Sequence, residues 1–308
     1  LFWVIALGAF IWGLGWTFIS GAHEAWLADE VGEARAGRLY LTGQKLVSYG
    51  SFAGILVAVL LGSIDIRLPY LLSGLLFMVW GTFAWFGMLE TRVAPVAAAG
   101  ESHLAGMKSG FIAGVTTIRH SPTLVLLVVV GVVIGTFSEG YDRLSAAHLL
   151  RSFTFPSPFG FEPVVIFGAL GAAGSLLSIV AVRIAEERVD TERAAALGNA
   201  LSIVSLLILF ATLLFALTGS VLLALVLFVI LQPLRVVSGP LTTAWINQHV
   251  GSSSRATVLS MHGQSDALGQ MVGGPSAGLV GEVFGDSCRD RACRHAARAG
   301  CAAVSPGA

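Results

Sequence analysis

Three ionisable side chains follow a long apolar run in the middle of the chain: Glu139, Asp142 and Arg143. Spacings of three and four residues place them on one face of a helix, where Glu139 and Arg143 can form an ion pair. Charged groups at membrane depth are costly and usually face a cavity or a partner. The cluster therefore forms either a proton- or substrate-linked site near the outer end of its helix, or an ion pair that only locks that end.

Asp266 is the sharpest single candidate for proton chemistry. It ends the run His-Gly-Gln-Ser-Asp at 262–266, and Gln270 follows one helical turn later. A carboxylate held away from water is suited to carrying a proton. The apolar stretch around it is predicted to begin at residue 258, which would bury Asp266. A later start would leave it near the membrane surface, and the pattern leaves both readings open.

A second group of charges ends the first apolar run. His-Glu-Ala-Trp-Leu at 23–27 resembles the start of a zinc-protease motif, but Leu27 stands where the second His belongs, so no metal site is predicted. Glu24 remains a candidate for proton coupling. The charges that follow are predicted to form a gating network at the cytoplasmic surface that holds the closed state. Its members are Asp29, Glu30, Arg35, Arg38 and, far along the chain, Arg255.

Arg235 lies inside another apolar stretch, where an unpaired Arg costs at least about 2.5 kcal/mol. It therefore has a partner, lies close to the interface or meets an anionic ligand, and structural pairing is the favoured interpretation.

Four tryptophans either line a path for flat apolar compounds or anchor helices at the membrane interfaces: Trp12, Trp16, Trp26 and Trp245.

The composition indicates that these residues are carried by membrane helices. The 308 residues are 55% apolar and 12% charged, with a mean hydropathy of +0.82, whereas soluble domains carry about 25% charged residues. Eighteen basic residues balance eighteen acidic ones, so no nucleic-acid partner is predicted. Motifs of serine hydrolases, zinc proteases and phosphate-binding loops are missing, which argues against an enzyme or an ATP-driven pump; no cofactor is expected.

Eight stretches approach the 20 or so residues that cross a bilayer. They are 2–21, 46–64, 68–89, 123–138, 163–182, 196–217, 221–237 and 258–284. Ten Lys and Arg follow the odd-numbered stretches, whereas three lie in the alternate connections, so the positive-inside rule makes the former cytoplasmic. The long connection 90–122 contains a helical apolar stripe, which indicates either an amphipathic helix on the membrane or a soluble linker helix. The Phe- and Pro-rich connection 152–162 is predicted to pack at the outer interface.

An internal repeat defines the architecture. Ser20-Gly21, Ala25-Trp26, Arg35-Ala36 and Gly43-Gln44 match Ser238-Gly239, Ala244-Trp245, Arg255-Ala256 and Gly263-Gln264, at a constant offset of 220 residues from Arg35 onward. The copies begin at the ends of the first and seventh stretches, so the repeat unit has six spans. An even number of crossings gives both copies the same orientation. Two parallel six-helix halves with a path between them are the plan of one class of transporters.

Because of these repeated residues, the chain resembles a major facilitator superfamily transporter. The resemblance covers the fourth to eleventh helices of such a protein. Segments 20–30, 138–144 (SEGYDRL) and 255–278 are similar to the multidrug and tetracycline-efflux-like bacterial branch. The resemblance implies an all-α polytopic bundle of two parallel six-helix repeats with about 8 of 12 spans present. It also implies a proton-coupled antiporter that exports a small, amphipathic compound by alternating access. Its partners would be the lipid bilayer, the substrate and the proton, and we expect a monomer in the plasma (inner) membrane.

The family's glycine motifs fit in part. The antiporter signature Gly-x3-Gly-Pro-x2-Gly-Gly belongs on the fifth helix, where this chain has Gly50 and Gly54 but Ile55 in place of Pro. Ala9 stands near the place of the proton-coupling Arg of the fourth helix. A related pattern occurs on the eleventh helix, and close helix packing is predicted at both places and at Gly131/Gly135. It comprises Gly269, Gly273, Gly274 and Pro275.

The expected organisation has four parts. Residues 1–89 end the N-terminal half, 90–122 form the central loop, 123–285 form the C-terminal half and 286–308 form an atypical tail. That tail holds all three cysteines, Cys288, Cys293 and Cys301, among arginines, which is typical of a shifted reading frame or of a degraded terminus. A chain of this extent is expected to be either a fragment of a working transporter or a remnant that transports nothing; a different substrate or direction is a further alternative.

Overall fold

The computed structural model describes residues 2–19, 21–87, 103–153 and 163–302, and these ranges contain helices and no strand. The helices are α1 (Phe2–Ile19), α2 (Ala22–Val31), α3 (Glu33–Gly62), α4 (Leu68–Gly87), α5 (His103–His120), α6 (Pro122–Ser152), α7 (Pro163–Arg188), α8 (Ala194–Leu217), α9 (Val221–Asn247) and α10 (Ser252–Ala302). The protein is an all-α membrane protein, as the sequence predicts.

Seven segments in these ranges are long and apolar enough to cross a membrane: Phe2–Val31, Ala34–Gly62, Leu68–Gly87, Pro122–Ser152, Val165–Arg188, Ala194–Leu217 and Val221–Asn247. They match the first seven predicted stretches, but several extend further. The fourth continues beyond residue 138 to Ser152, and the seventh continues beyond residue 237 to Asn247. The added part of α9 is largely buried against neighbouring helices, whereas the added part of α6 includes exposed residues at 142–144 and 150–152. The eighth predicted span lies in α10, which is not among the seven.

Local signals set where the helices begin. Ser121 precedes α6, accepts a hydrogen bond from the Leu124 amide at 3.4 Å and is followed by Pro122 at the first helical position. Ser220 caps α9 in the same way. Gly32 separates α2 from α3 with φ 85°, a left-handed conformation that side chains other than Gly rarely adopt.

Gly21 meets two demands at the α1–α2 junction. Its φ is 79°, and a Cβ at this position would lie 2.5 Å from the Ser260 amide nitrogen and 2.9 Å from the Ala256 carbonyl oxygen. Only Gly fits where the backbone of α10 comes so close. The junction is therefore built for contact with α10.

The bundle has two strongly packed groups. Helix α10 packs along α6, while α3 packs against α7 and α9, and α8 packs against α9. A buried cluster that includes Leu41, Leu197 and Leu241 joins α3, α8 and α9. A second cluster joins α2, α6, α9 and α10 around Leu124 and Ile246.

The two copies of the repeat have the same local form and pack against each other. The first copy covers α2, the break at Gly32 and the start of α3; the second covers the end of α9, residues 248–251 and the start of α10. Ala25 of the first copy is buried with Ile246 and Val258 of the second. We call the surrounding surface, formed by residues 32–45, 183–193 and 248–255, the basic end of the bundle.

The remaining predicted connections are placed as follows. Helix α5 packs on α10, where a Cβ at Gly114 would lie 2.6 Å from Thr257 Cγ2, and Phe111 is exposed. Phe153 packs on His148, whereas residues 154–162 lie outside the described ranges. The backbone of α10 remains helical into the atypical tail as far as Ala302.

No residue of α1 or α4 is buried, so their apolar surfaces are free for hydrocarbon or for another helix.

Candidate functional site

An ion pair joins α6 to α9 in the interior of both helices. Arg235 donates from Nη1 and Nη2 to the two carboxylate oxygens of Asp142, at 2.6 and 2.8 Å. The guanidinium also lies 5.1 Å from the centroid of the Tyr141 ring, within cation–π range. The prediction that Arg235 has a structural partner is confirmed. Parallel two-bond pairing of this kind fixes both distance and orientation.

The second ion pair lies one turn away on α6. Arg143 Nε donates to Glu139 Oε1 at 2.7 Å, the pairing that the spacing of four residues predicts. Glu139 also faces α10, since a Cβ on Gly274 would lie 3.2 Å from Glu139 Cγ. The predicted position of these residues at the end of the helix is wrong, because α6 continues to Ser152. They lie within the helix, nine or more residues before its last residue.

Asp266 lies on α10 opposite Gly135 of α6. A Cβ at Gly135 would be 3.0 Å from Asp266 Oδ1, and Gln270 Nε2 donates to Asp266 Oδ2 at 2.7 Å. Helix α10 begins at Ser252, earlier than predicted, and Asp266 lies about 21 Å along it at the usual rise of 1.5 Å per residue. The burial of Asp266 at membrane depth stays a prediction.

Glycines bring α6 and α10 into close contact near Asp266. A Cβ at Gly269 would lie 2.1 Å from the Val132 carbonyl oxygen, and one at Gly273 would lie 2.5 Å from that of Thr136. The Thr136 hydroxyl shares its one proton between the Val132 carbonyl oxygen of its own helix, at 2.9 Å, and the Gly269 carbonyl oxygen of α10, at 3.1 Å. Pro275 lies within α10 one residue after Gly274.

Gly50 and Gly54 differ from these glycines. A Cβ at either position would meet no atom within 4 Å, so no described helix packs on them. The predicted close contact is thus present where α10 meets α6, and the described part of the chain contains no equivalent contact at Gly50 and Gly54.

At the basic end, Arg255 of α10 pairs with Asp29 of α2. The Arg255 side chain is 2% exposed, and its Nη2 also donates to the Val250 carbonyl oxygen at 3.4 Å. Glu30 follows Asp29 in the last turn of α2. Arg35 and Arg38 do not form this pair; they line an adjacent groove of about 1230 Å³ between α3 and the α7–α8 connection.

Sequence reasoning missed two links between the predicted halves. Lys45 and Thr42 of α3 both donate to the Glu186 carboxylate of α7, at 2.5 and 2.7 Å. A Lys and a Glu at the polar ends of two apolar stretches were the available signal, but nothing local pairs residues 141 positions apart.

The second missed link connects three helices. Asn247 Nδ2 of α9 donates to Tyr40 Oη of α3 at 2.5 Å, and Tyr40 Oη donates to the Glu24 carbonyl oxygen of α2 at 2.7 Å. The Glu24 side chain lies beside this link, and its Oε2 is buried without a hydrogen-bond partner among the described residues. No cluster of three or more His, Cys, Asp or Glu that could hold a metal ion occurs in the described part of the chain.

Comparison with known proteins adds one relative. The chain is 21% identical over 284 residues to a Bacillus subtilis (strain 168) protein named "Uncharacterized MFS-type transporter YxaM", covering 92% of this chain and 68% of that protein. This similarity supports membership of the major facilitator superfamily. No protein-family model matches the chain, and no solved structure matches it. The relative's name and the multi-pass helical structure together support a transporter, not an enzyme.

Proposed function

We propose that the protein exports a small amphipathic compound across the plasma membrane in exchange for protons, by alternating access. The observation that carries this proposal is the polar cluster inside α6, α9 and α10, with the Asp142–Arg235 pair at its centre. Ionisable groups inside apolar helices are costly, and they mark ion and substrate paths in transporters. The relative supports the class of protein; the efflux branch rests on the sequence resemblance.

Proton exchange can act on the cluster through its carboxylates. Protonation of Asp142 would remove the negative charge that holds Arg235, and the two bonds at 2.6 and 2.8 Å would weaken. Asp266 of α10, which accepts a hydrogen bond from Gln270 of the same helix, offers a second carboxylate for the same proton. Glu139, paired with Arg143, offers a third. We assign proton coupling to Asp266 and Asp142, with Glu139, Arg143 and Glu24 as further candidates.

The contacts at the basic end would form the gate. Asp29 with Arg255, Tyr40 with Asn247, and the Lys45–Glu186 pair each join a helix of the first predicted half to one of the second. Opening this end requires all three links to break together. In this proposal the structure represents the state that is closed at the basic end, and proton release and rebinding in the α6–α9–α10 cluster shift the equilibrium between closed and open states.

The test uses the full chain in proteoliposomes with an imposed pH gradient and ethidium as the probe. We expect the wild type to move ethidium against its concentration gradient, and Asp266→Asn to abolish this accumulation while still exchanging ethidium down its own gradient. Asp65→Asn makes the same change in the exposed α3–α4 connection and should behave as wild type. Unchanged accumulation in both Asp266→Asn and Asp142→Asn would remove these carboxylates from the mechanism.

A further inference from the structure

A cavity of about 560 Å³ lies between α6 and α8, towards the end of the bundle opposite the basic end. Its walls carry the aromatic rings of Phe137, Tyr141 and Phe215. Ligand pockets for small molecules typically have volumes of about 300–1,000 Å³ and mostly apolar walls with a few polar groups. The size and the walls of this cavity fit that description.

The charged side chains in the cavity lining indicate the charge of the molecule that would bind there. Arg151, in the last turn of α6, is the one charged side chain in the lining, and no acidic side chain lines it within the described ranges. His148 lies beside it, with Nδ1 3.2 Å from Ser152 Oγ, which orients the ring. The polar end of the cavity is therefore cationic and lies near the membrane surface, whereas Phe137 lies deeper along α6.

We infer that this cavity binds an amphipathic carboxylate, with its acidic group at Arg151 and its apolar body among Phe137, Tyr141 and Phe215. A carboxylate accepts the charge-assisted hydrogen bonds that Arg offers. The same chemistry is available from a membrane fatty acid or from a soluble aromatic acid. The site is distinct from the α6–α9–α10 cluster, and Tyr141 connects the two because Arg235 lies 5.1 Å from its ring centroid.

The experiment measures binding of cis-parinaric acid to the purified full chain in micelles, by energy transfer from the protein's tryptophans. The methyl ester of the same acid is the neutral control ligand. We expect saturable binding of the acid and about tenfold weaker binding of the ester, since the ester loses the charge-assisted bond to Arg151. Equal binding of acid and ester would overturn the inference.

Two pairs of variants locate the site. Arg151→Gln should weaken binding of the acid to the level of the ester, and Arg151→Lys should restore part of the lost affinity. The control Arg67→Gln, at an exposed Arg near the same end of the bundle, should leave the affinity unchanged. Ala216→Phe should fill the cavity and abolish binding of both ligands, whereas Ala58→Phe on an exposed face of α3 should not. Equal effects of Ala216→Phe and Ala58→Phe would overturn the assignment even if an Arg151 variant failed to fold.

Competition distinguishes the two sources of carboxylate. Displacement of the probe by palmitate assigns the site to membrane fatty acids, and displacement by 2-naphthoate assigns it to soluble aromatic acids. Displacement by neither would overturn the inference. Because binding is measured without a pH gradient, its failure would leave the proposed transport activity standing, and loss of transport in the carboxylate variants would leave this site standing.

Discussion

Replacing Gly135 with Ala should force α6 and α10 apart. The added Cβ would lie 2.0 Å from the Asp266 carbonyl oxygen, whereas close carbon–oxygen contacts lie at about 3.3–3.6 Å. The helices must therefore separate locally by more than about 1 Å, unless the backbone of α10 bends. The obstacle is backbone and not the end of a flexible side chain, so local rotation cannot relieve it.

The size of the effect follows from two terms. Overpacking a well-packed interface costs about 1–3 kcal/mol. Separation would also lengthen the 3.1 Å contact from Thr136 Oγ1 to the Gly269 carbonyl oxygen, but the hydroxyl keeps its 2.9 Å bond to the Val132 carbonyl oxygen, so this second term is small. We expect Gly135→Ala to lower the free energy of unfolding by about 1–3 kcal/mol.

Gly54→Ala is the matched control. It makes the same chemical change inside a helix, but its Cβ would meet no atom within 4 Å. Ala restricts the unfolded chain more than Gly does, so this variant should gain about 0.5–1 kcal/mol. The two substitutions are thus predicted to shift stability in opposite directions.

The assay is thermal unfolding of each purified variant in the same detergent, followed by tryptophan fluorescence. A midpoint below wild type for Gly135→Ala and at or above wild type for Gly54→Ala would agree with the structure. In the double variant Gly135→Ala/Gly269→Ala, the second substitution should cost less than it does alone, because the helices are already separated. Equal midpoints for Gly135→Ala and Gly54→Ala would refute the described α6–α10 contact.

Two further predictions concern the ion pairs. Arg255→Met should lower the free energy of unfolding by about 2–3 kcal/mol, less than the roughly 3–5 kcal/mol of a fully buried pair, because Asp29 is 34% exposed and can reach water. Arg193→Met, at an exposed site, should shift the midpoint little, and equal shifts would contradict the pairing. Asp142→Asn and Arg235→Gln should couple by about 1–2 kcal/mol in a double-mutant cycle, because two bonds join the side chains but Asp142 is half exposed. Strict additivity in that cycle would show that the two side chains do not interact.

The transmembrane helices and one of the ion pairs could be predicted from the sequence. Length and hydropathy of a segment decide whether it can cross a bilayer, and both are local properties. The Glu139–Arg143 pair is local too, since residues four apart on a helix are neighbours whatever surrounds them. Helix ends were less predictable, because α6 and α9 continue into polar sequence, and in α9 burial against neighbouring helices accompanies that extension.

The partners across the bundle could not be predicted. Glycine spacing shows which residues share a helix face, but it does not show which helix lies against that face; Gly269 meets α6 while Gly54 meets open space. Asp142 and Arg235 are 93 residues apart, and Arg255 and Asp29 are 226 residues apart. Helical periodicity carries no information over such distances, so only the packing of the folded chain selects the carboxylate that each Arg contacts.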